Sequence, residues 1–180
     1  MIFCSISWNR ADARHNAIMR RLALLLFLCA AGVSGAATLE GRVVKVADGD
    51  TITVLDATNV QHKIRLNRID APEKRQAFGE ASRRHLASFV AGKGVKVEWE
   101  KRDQYGRILG TVKIDGKDVN LQMVKDGLAW HYKHFDGTKA YADAETEARQ
   151  KKLGLWRDAK PQPPWEFRKA KRAAASSPRG

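Results

Sequence analysis

Apolar and polar side chains alternate along the chain directly after residue 37. β-Branched and other apolar residues recur at every second position over 39–46, 51–55 and 60–66, and polar turns at 48–50 and 56–59 separate these runs. A period of two, interrupted by Asp-Gly and Asn turns, is typical of antiparallel strands. The pattern therefore predicts a three-stranded meander.

Helical spacing of apolar residues replaces this alternation after Pro72, and it predicts a helix over 76–90. Two strands and two helices are predicted to follow, over 95–100, 107–114, 119–125 and 139–152. This order matches a small five-stranded barrel of the oligonucleotide/oligosaccharide-binding kind, so we expect an α+β, mainly β fold with about three helices. A flat antiparallel sheet would give the same pattern, and the pattern alone leaves closure of the barrel open.

The segment 1–37 has the layout of a secretory signal. Met19-Arg20-Arg21 precedes the apolar run 22–31, and small residues follow up to residue 37. A basic start, a short apolar run and a small-residue end are typical of a cleaved export signal. We expect Met19 to be the true start, residues 1–18 to be an artefact of gene prediction, and the mature protein to be periplasmic or secreted. The alternative is a short membrane anchor; contact with the membrane is otherwise expected only before cleavage.

The amino-acid composition excludes some classes of protein and favours others. With 43% hydrophobic and 29% charged residues among 180, the chain has too many apolar residues for a wholly disordered polymer and too few for a multi-span membrane protein. Its formal net charge of +13 favours binding to polyanions. Both cysteines, Cys4 and Cys29, lie in the signal segment. The mature domain must therefore be held by its core, alone or with a bound ion.

A folded domain is expected over 38–156, followed by a basic tail over 157–180. The tail holds seven Lys/Arg against two Asp/Glu, together with Pro161, Pro163 and Pro164. Because proline removes a backbone donor and disrupts helix interiors, this composition predicts no helix there. The stretch 165–168 could nevertheless fold back onto the domain.

Three acids and two arginines lie at predicted strand ends or turns. Each alone is more typical of a structural turn than of a catalytic site, because turns are where Asp and Gly accumulate. Together they could form a metal-dependent site, because carboxylates from separate strands can hold a hard cation such as calcium. Two guanidiniums can bind phosphate oxygens, and a third carboxylate can accept a proton from water. We assign Asp50 and Asp70 as metal ligands, Glu73 as general base, and Arg65 and Arg107 as phosphate-binding residues.

Several of these residues belong to motifs that occur in a fixed order. They are Asp48-Gly49-Asp50-Thr51, Arg65-Leu66 through Ile69-Asp70-Ala71-Pro72-Glu73, Asp103-Gln104-Tyr105-Gly106-Arg107, Asn120 through Gly127-Leu128-Ala129, and Leu153-Gly154-Leu155-Trp156. In this order and over about residues 40–156, the chain resembles the staphylococcal nuclease (thermonuclease) family. Several ordered motifs are far more specific than any one of them.

The resemblance implies a five-stranded barrel with three helices that cleaves DNA and RNA in a calcium-dependent way and leaves 3′-phosphate ends. It implies that Ala71 contributes its main-chain carbonyl to the calcium site, and it assigns the two aspartates, the glutamate and the two arginines the roles given above. Tyr105 is similar to a family tyrosine near the nucleotide. Tyr132 resembles a base-stacking residue, with plain packing as the alternative.

The expected protein is thus an exported, sugar-nonspecific endonuclease that acts as a monomer without a stable protein partner. The rival hypothesis is a binding module of the same fold that grips nucleic acid without cutting it. A calcium-stabilised structural domain is a more distant alternative. All five expected side chains are present, which favours the enzyme.

Overall fold

The computed structural model describes residues 37–133 and 137–176. Eight strands occur in this part of the chain: β1 Ala37–Val46, β2 Thr51–Leu55, β3 Gln61–Leu66, β4 Ile69–Asp70, β5 Gly94–Arg102, β6 Ile108–Ile114, β7 Lys117–Asp118 and β8 Trp130–His131. Four α-helices accompany them: α1 Gly79–Val90, α2 Val119–Lys125, α3 Lys139–Gln150 and α4 Pro164–Ser176. The predicted meander, the two later strands and the first three helices are confirmed to within a few residues.

The sheet closes on itself. The strand order is β3-β2-β1-β5-β6-β7, with an additional parallel pairing of β3 with β6 in which Ile64 aligns with Ile108 and Leu66 with Gly110. This pairing joins the two ends of a five-stranded arrangement, so the prediction of a barrel is confirmed and the flat sheet is excluded. Closure removes the exposed strand edges of an open sheet.

The barrel interior is filled by the inward-facing residues of these strands. Ile52, Ile64, Leu66, Val97 and Val112 have no exposed surface. From outside the sheet, α1 adds Leu86 and Val90, and α2 adds Met123 and Val124. Because alternate residues of each strand share one face, the period-two pattern of the sequence gives this core directly.

The helix α4 contradicts the prediction that prolines keep the segment after residue 157 from being helical. Pro164 is the first residue of the helix, and Pro161 and Pro163 precede it. Proline is favoured at the first helical position, where its missing N–H would have no partner within the helix. The prediction was therefore wrong because it treated Pro164 as an interior residue.

Apart from Ala37, the first residue of β1, the predicted export signal lies outside the described residues, as does the proposed start at Met19. Within 37–133 and 137–176, no helix combines the length and the apolar character that crossing a bilayer requires.

A buried asparagine at the start of α2 connects three parts of the domain. The side-chain amide of Asn120 donates to the carbonyl oxygens of Asn67 and Gly110, and its Oδ1 accepts from the N–H of Val112 at 3.1 Å. Asn120 itself has no exposed surface. It satisfies backbone groups of β6 and of the loop after β3 that water cannot reach.

We therefore expect Asn120→Ala to lower the free energy of unfolding by about 2–4 kcal/mol, since each buried polar group left without a partner costs about 1–3 kcal/mol. Urea unfolding followed by circular dichroism would measure it. Gln150→Ala, at the exposed end of α3, is the control and should change stability by less than about 0.5 kcal/mol. An equal loss for both variants would contradict a special role for Asn120.

Candidate active site

The turn between β1 and β2 brings one carboxylate into the site. Asp50 is 5% exposed, its Oδ2 accepts the N–H of Ala71 at 2.7 Å, and its Oδ1 accepts the hydroxyl of Thr51. Gly49 permits this approach, because a Cβ there would lie 1.9 Å from the Ser82 hydroxyl and 2.7 Å from the Ala71 side chain. Glycine is therefore needed at this position for close packing.

The second carboxylate lies on a two-residue strand. Asp70 ends β4, which pairs antiparallel with β8 so that Asp70 faces Trp130, and its side chain has no exposed surface. Burial raises the pKa of Asp70 above its ordinary value, while the hydrogen bond from Arg168 and the charge of Arg65 oppose that rise. A buried carboxylate of this kind needs cationic partners to stay ionised.

Arg65 supplies one of these partners. A single terminal nitrogen of Arg65 lies 3.1 Å from Oδ2 of Asp50 and 2.9 Å from Oδ1 of Asp70. Its other terminal nitrogen donates to the carbonyl oxygens of Leu66 and Ile69, at 2.8 and 3.0 Å. The two carboxylates therefore converge on one positively charged atom.

This convergence fits a hard cation. Carboxylate and carbonyl oxygens are the ligands that calcium prefers, and Asp50, Asp70 and the carbonyl of Ala71 would provide them. No cluster of three or more His, Cys, Asp or Glu side chains suited to a metal occurs in the described residues. The protein ligands would thus be two carboxylates and a main-chain oxygen, with water completing the shell.

Glu73 lies next to the aspartates and is more open to solvent. Its carboxylate is 40% exposed, and its Oε1 accepts from Arg168 at 2.9 Å. Its backbone N–H donates to Gln76, which in turn donates to the carbonyl of Gln162 at 2.6 Å. Partial exposure gives this carboxylate access to a water molecule, which a general base requires.

Arg107 and Tyr105 form a second group, in the turn between β5 and β6. Nε of Arg107 binds Asp103 at 2.7 Å, and its guanidinium lies 5.6 Å from the centre of the Tyr105 ring. Burial alone would raise the pKa of Asp103, but the hydrogen bonds from Arg107 outweigh burial and hold this pKa below its ordinary value. Tyr105 is 74% exposed. The contacts that join Arg65, Asp50 and Asp70 do not extend to this group.

Tyr132 has an aromatic partner in this structure. Its ring is stacked on that of Trp165 in α4, with centroids 5.6 Å apart and an interplanar angle of 25°. Trp165 also contacts Trp130, edge to face at 5.5 Å. The contact is a packing interaction between β8 and α4, and a role of Tyr132 in stacking nucleobases stays a prediction.

A model of the family described as "Staphylococcal nuclease homologue" matches residues 63–158 of the chain, which include β3 to the end of the last motif. The chain belongs to the staphylococcal nuclease family.

Curated relatives of this nuclease agree with the family. A protein named "Uncharacterized endonuclease" from Escherichia coli is 49% identical over 136 residues, which is 75% of this chain and 88% of the relative. A similarly named protein from Haemophilus influenzae is 43% identical over 71% of this chain and 72% of its own. "Micrococcal nuclease" of Shigella flexneri is 38% identical over 78% of this chain and 86% of its own. The chain is accordingly a nuclease, a phosphodiester hydrolase.

Two residues in contact with the nuclease's acids were missed by sequence analysis. Arg168 of α4 contacts Asp70 and Glu73, and Asp48 lies beside Asp50. Arg168 was assigned to a basic tail because the prolines before it hid the helix. The possible fold-back of 165–168 is observed, since Trp165 packs on Tyr132 and Trp130, but the apolar residues Trp165 and Phe167 before Arg168 gave no sign that its guanidinium would reach the acids.

Asp48 is expected to make the stability of the folded protein depend on pH. Burial, together with the charge of Asp50, raises the pKa of Asp48 to about 7. Between pH 4 and 7 the folded state therefore keeps a proton that the unfolded chain has released, and the free energy of unfolding falls as pH rises through this window. The slope is at most about 1.4 kcal/mol per pH unit.

We expect Asp48→Asn to remove this slope. Thermal unfolding of both proteins in EGTA should show the variant gaining stability relative to wild type from pH 4 to 7, with the difference constant above pH 8. Asp115→Asn changes an acid in an exposed turn and serves as the control. Parallel pH profiles for wild type and Asp48→Asn would show that Asp48 titrates normally.

Proposed function

We propose that the enzyme is a calcium-dependent, sugar-nonspecific endonuclease that hydrolyses DNA and RNA and leaves 3′-phosphate ends. The observation that supports it most directly is the convergence of Asp50 and Asp70 on one cationic nitrogen, with Glu73 beside them. The same set is what the family resemblance assigns to calcium and to the general base.

In this proposal, Arg107 and Arg65 bind the phosphate of the substrate. Arg107 is oriented by Asp103 through Nε, which leaves its two terminal amino groups for phosphate oxygens. Arg65, whose terminal nitrogens bind Asp50, Asp70 and two backbone carbonyls, would reach the same phosphate by giving up part of these contacts. Planar, permanently charged guanidiniums stabilise negative charge that grows on the equatorial oxygens during attack.

Glu73 supplies the base. It accepts a proton from water as the water oxygen bonds to phosphorus, the bond from phosphorus to the 5′-oxygen breaks, and the 5′-oxygen takes a proton from solvent to leave as a hydroxyl, so that the phosphate stays on the 3′ side. Calcium held by Asp50, Asp70 and the Ala71 carbonyl would supply further positive charge beside the phosphate.

The proposed enzyme should cleave without preference for base sequence, because charge and ring stacking attract any nucleic acid. Lys and Arg outnumber Asp and Glu by 33 to 20, so counterion release favours any nucleic acid. Exposed Tyr105 offers a ring on which a base can stack without reading its identity. Single strands should be preferred because their base faces are accessible.

The test is cleavage of single-stranded DNA and of RNA of the same sequence, in calcium and again in EGTA, with the product ends identified by phosphatase treatment. Cutting of both substrates that requires calcium and leaves 3′-phosphate would support the proposal. Cutting that ignores EGTA would contradict the metal assignment. Salt-sensitive binding without cutting would favour the binding module.

We also propose that the protein is exported and that residues 1–37 are removed, on the basis of the signal layout in the sequence. Expression in a Gram-negative host, fractionation and N-terminal sequencing of the product would test this. A periplasmic or secreted product that begins near residue 37 is expected, whereas a cytoplasmic product that keeps the segment would contradict it.

A further inference from the structure

The helix α4 covers one side of the active site. The segment before it is tied to the domain by the 2.6 Å hydrogen bond from Gln76 to the carbonyl of Gln162. The helix itself is held by Trp165, which stacks on Tyr132 and meets Trp130 edge to face. Pro164 is its only buried residue in the part that the structure describes. A helix with so little buried surface can detach without unfolding the barrel.

Arg168 is the residue through which α4 reaches the acids. Its two terminal nitrogens bind the two carboxylate oxygens of Asp70, at 3.1 and 2.7 Å, and one of them also binds Oε1 of Glu73 at 2.9 Å. The hydrogen bonds to Asp70, followed by those to Glu73, raise the pKa of the Arg168 guanidinium above its ordinary value, despite partial burial. Paired, bidentate contacts of this kind are among the strongest ion pairs in proteins.

These contacts use the atoms that the reaction needs. Asp70 is a proposed metal ligand, and Arg65 and Arg168 together contact both of its oxygens. Glu73 is the proposed base, and Arg168 holds one of its two carboxylate oxygens, Oε1, at 2.9 Å. In this arrangement the guanidiniums of Arg65 and Arg168 offset part of the negative charge of the three carboxylates that they contact.

We propose that α4 is an autoinhibitory strap, in which Arg168 acts as an internal cation that competes with calcium for Asp70 and holds Oε1 of Glu73 in an ion pair. This inference rests on the proposed calcium site. Binding of calcium and substrate displaces Arg168 and releases the helix, and release exposes the Tyr132 ring that Trp165 covers. The strap lowers activity when calcium is scarce.

The alternative role for Arg168 is that of a third phosphate-binding arginine. This role predicts the opposite effect on cleavage when Arg168 is removed. A strap predicts that removing Arg168 tightens calcium binding and raises cleavage at limiting calcium. A phosphate-binding arginine predicts that removing it lowers kcat even at saturating calcium, with no gain in calcium affinity.

The experiment measures calcium affinity by titration calorimetry for wild type, Arg168→Ala, Arg168→Lys and Arg172→Ala. Arg172 lies on the exposed part of the same helix, so its replacement removes the same charge without touching the acids. We expect Arg168→Ala to bind calcium about 5–150-fold more tightly than wild type, the usual range of coupling between sites, and Arg172→Ala to match wild type. Arg168→Lys should lie between them, because lysine keeps the charge and loses the bidentate geometry.

A second readout follows from the reciprocity of linked binding. In wild type, calcium should speed amide hydrogen exchange in α4, whereas in Arg168→Ala this exchange should be fast already and insensitive to calcium. Unchanged calcium affinity in Arg168→Ala, with cleavage still calcium-dependent, would overturn the strap and leave the proposed function standing. Failure of all four proteins to bind calcium would overturn the metal assignment itself, and the strap with it.

Discussion

Replacing Glu73 by glutamine is expected to lower turnover of single-stranded DNA by about 10²–10⁴-fold, the usual contribution of a positioned general base. Glutamine keeps the size and a hydrogen-bond acceptor of the side chain but cannot take up a proton. Since the Glu73 carboxylate is 40% exposed, the free energy of unfolding should hardly change. Steady-state cleavage at saturating calcium, together with thermal unfolding, would measure both.

The ion pair with Arg168 requires a control in this experiment. Glu73→Gln weakens one contact of the strap, so by itself it could raise calcium affinity while it abolishes catalysis. The double variant with Arg168→Ala separates the two effects: its kcat should stay as low as that of Glu73→Gln. Glu166→Gln, at an exposed position of α4, should cleave like wild type. Cleavage by Glu73→Gln near the wild-type rate would show that another group accepts the proton.

The elements that the sequence predicted well are those fixed by local patterns. The first three strands follow from period-two alternation, and α2 begins and ends where predicted, at Val119 and Lys125. Asp118 caps this helix by accepting the N–H of Leu121, a local interaction that the sequence signals directly. Local signals of this kind need no knowledge of the rest of the fold.

The features that the sequence left open depend on contacts between distant residues. Closure of the barrel rests on parallel pairing of β3 with β6, whose aligned residues Ile64 and Ile108 are far apart in the chain. Two-residue strands such as β4 are too short to have a periodicity, although β4 positions Asp70. Arg168 meets Asp70 across 98 positions, so neither its charge nor its spacing could identify it as part of the site.

The residues of the candidate site were assigned from the sequence because they occur at turns in a fixed order that the family shares. Asp50, Arg65, Asp70 and Ala71 are brought together as expected. Arg107 and Tyr105 were predicted for the same site, and the structure places them in the turn between β5 and β6, where Arg107 binds Asp103 and its guanidinium lies over the Tyr105 ring. Whether Arg107 and Tyr105 contact the substrate must therefore be tested by substituting them.

Arg107→Ala is expected to lower kcat by about 10²–10³-fold, the effect of removing one donor to a transition-state oxyanion. Its stability should change by less than about 1 kcal/mol, because the Asp103 pair that it breaks is partly exposed. Cleavage kinetics and urea unfolding on the same preparation would separate the two. Arg102→Ala removes another arginine from this hairpin, one that donates to Gly106 and contacts Trp99, and it is the matched control.

Arg65→Ala should lose turnover to a similar extent and lose stability as well. It leaves Asp50 without its ion pair and Asp70 with only Arg168, and removing one partner from a buried pair costs about 3–5 kcal/mol. Calcium should restore much of that stability if Asp50 and Asp70 hold it, because a divalent cation replaces the missing charge between them. The two arginine variants would then differ in calcium-dependent stability while sharing a catalytic defect. If calcium raised the stability of Arg65→Ala no more than that of Arg107→Ala, the placement of the cation between these aspartates would be contradicted.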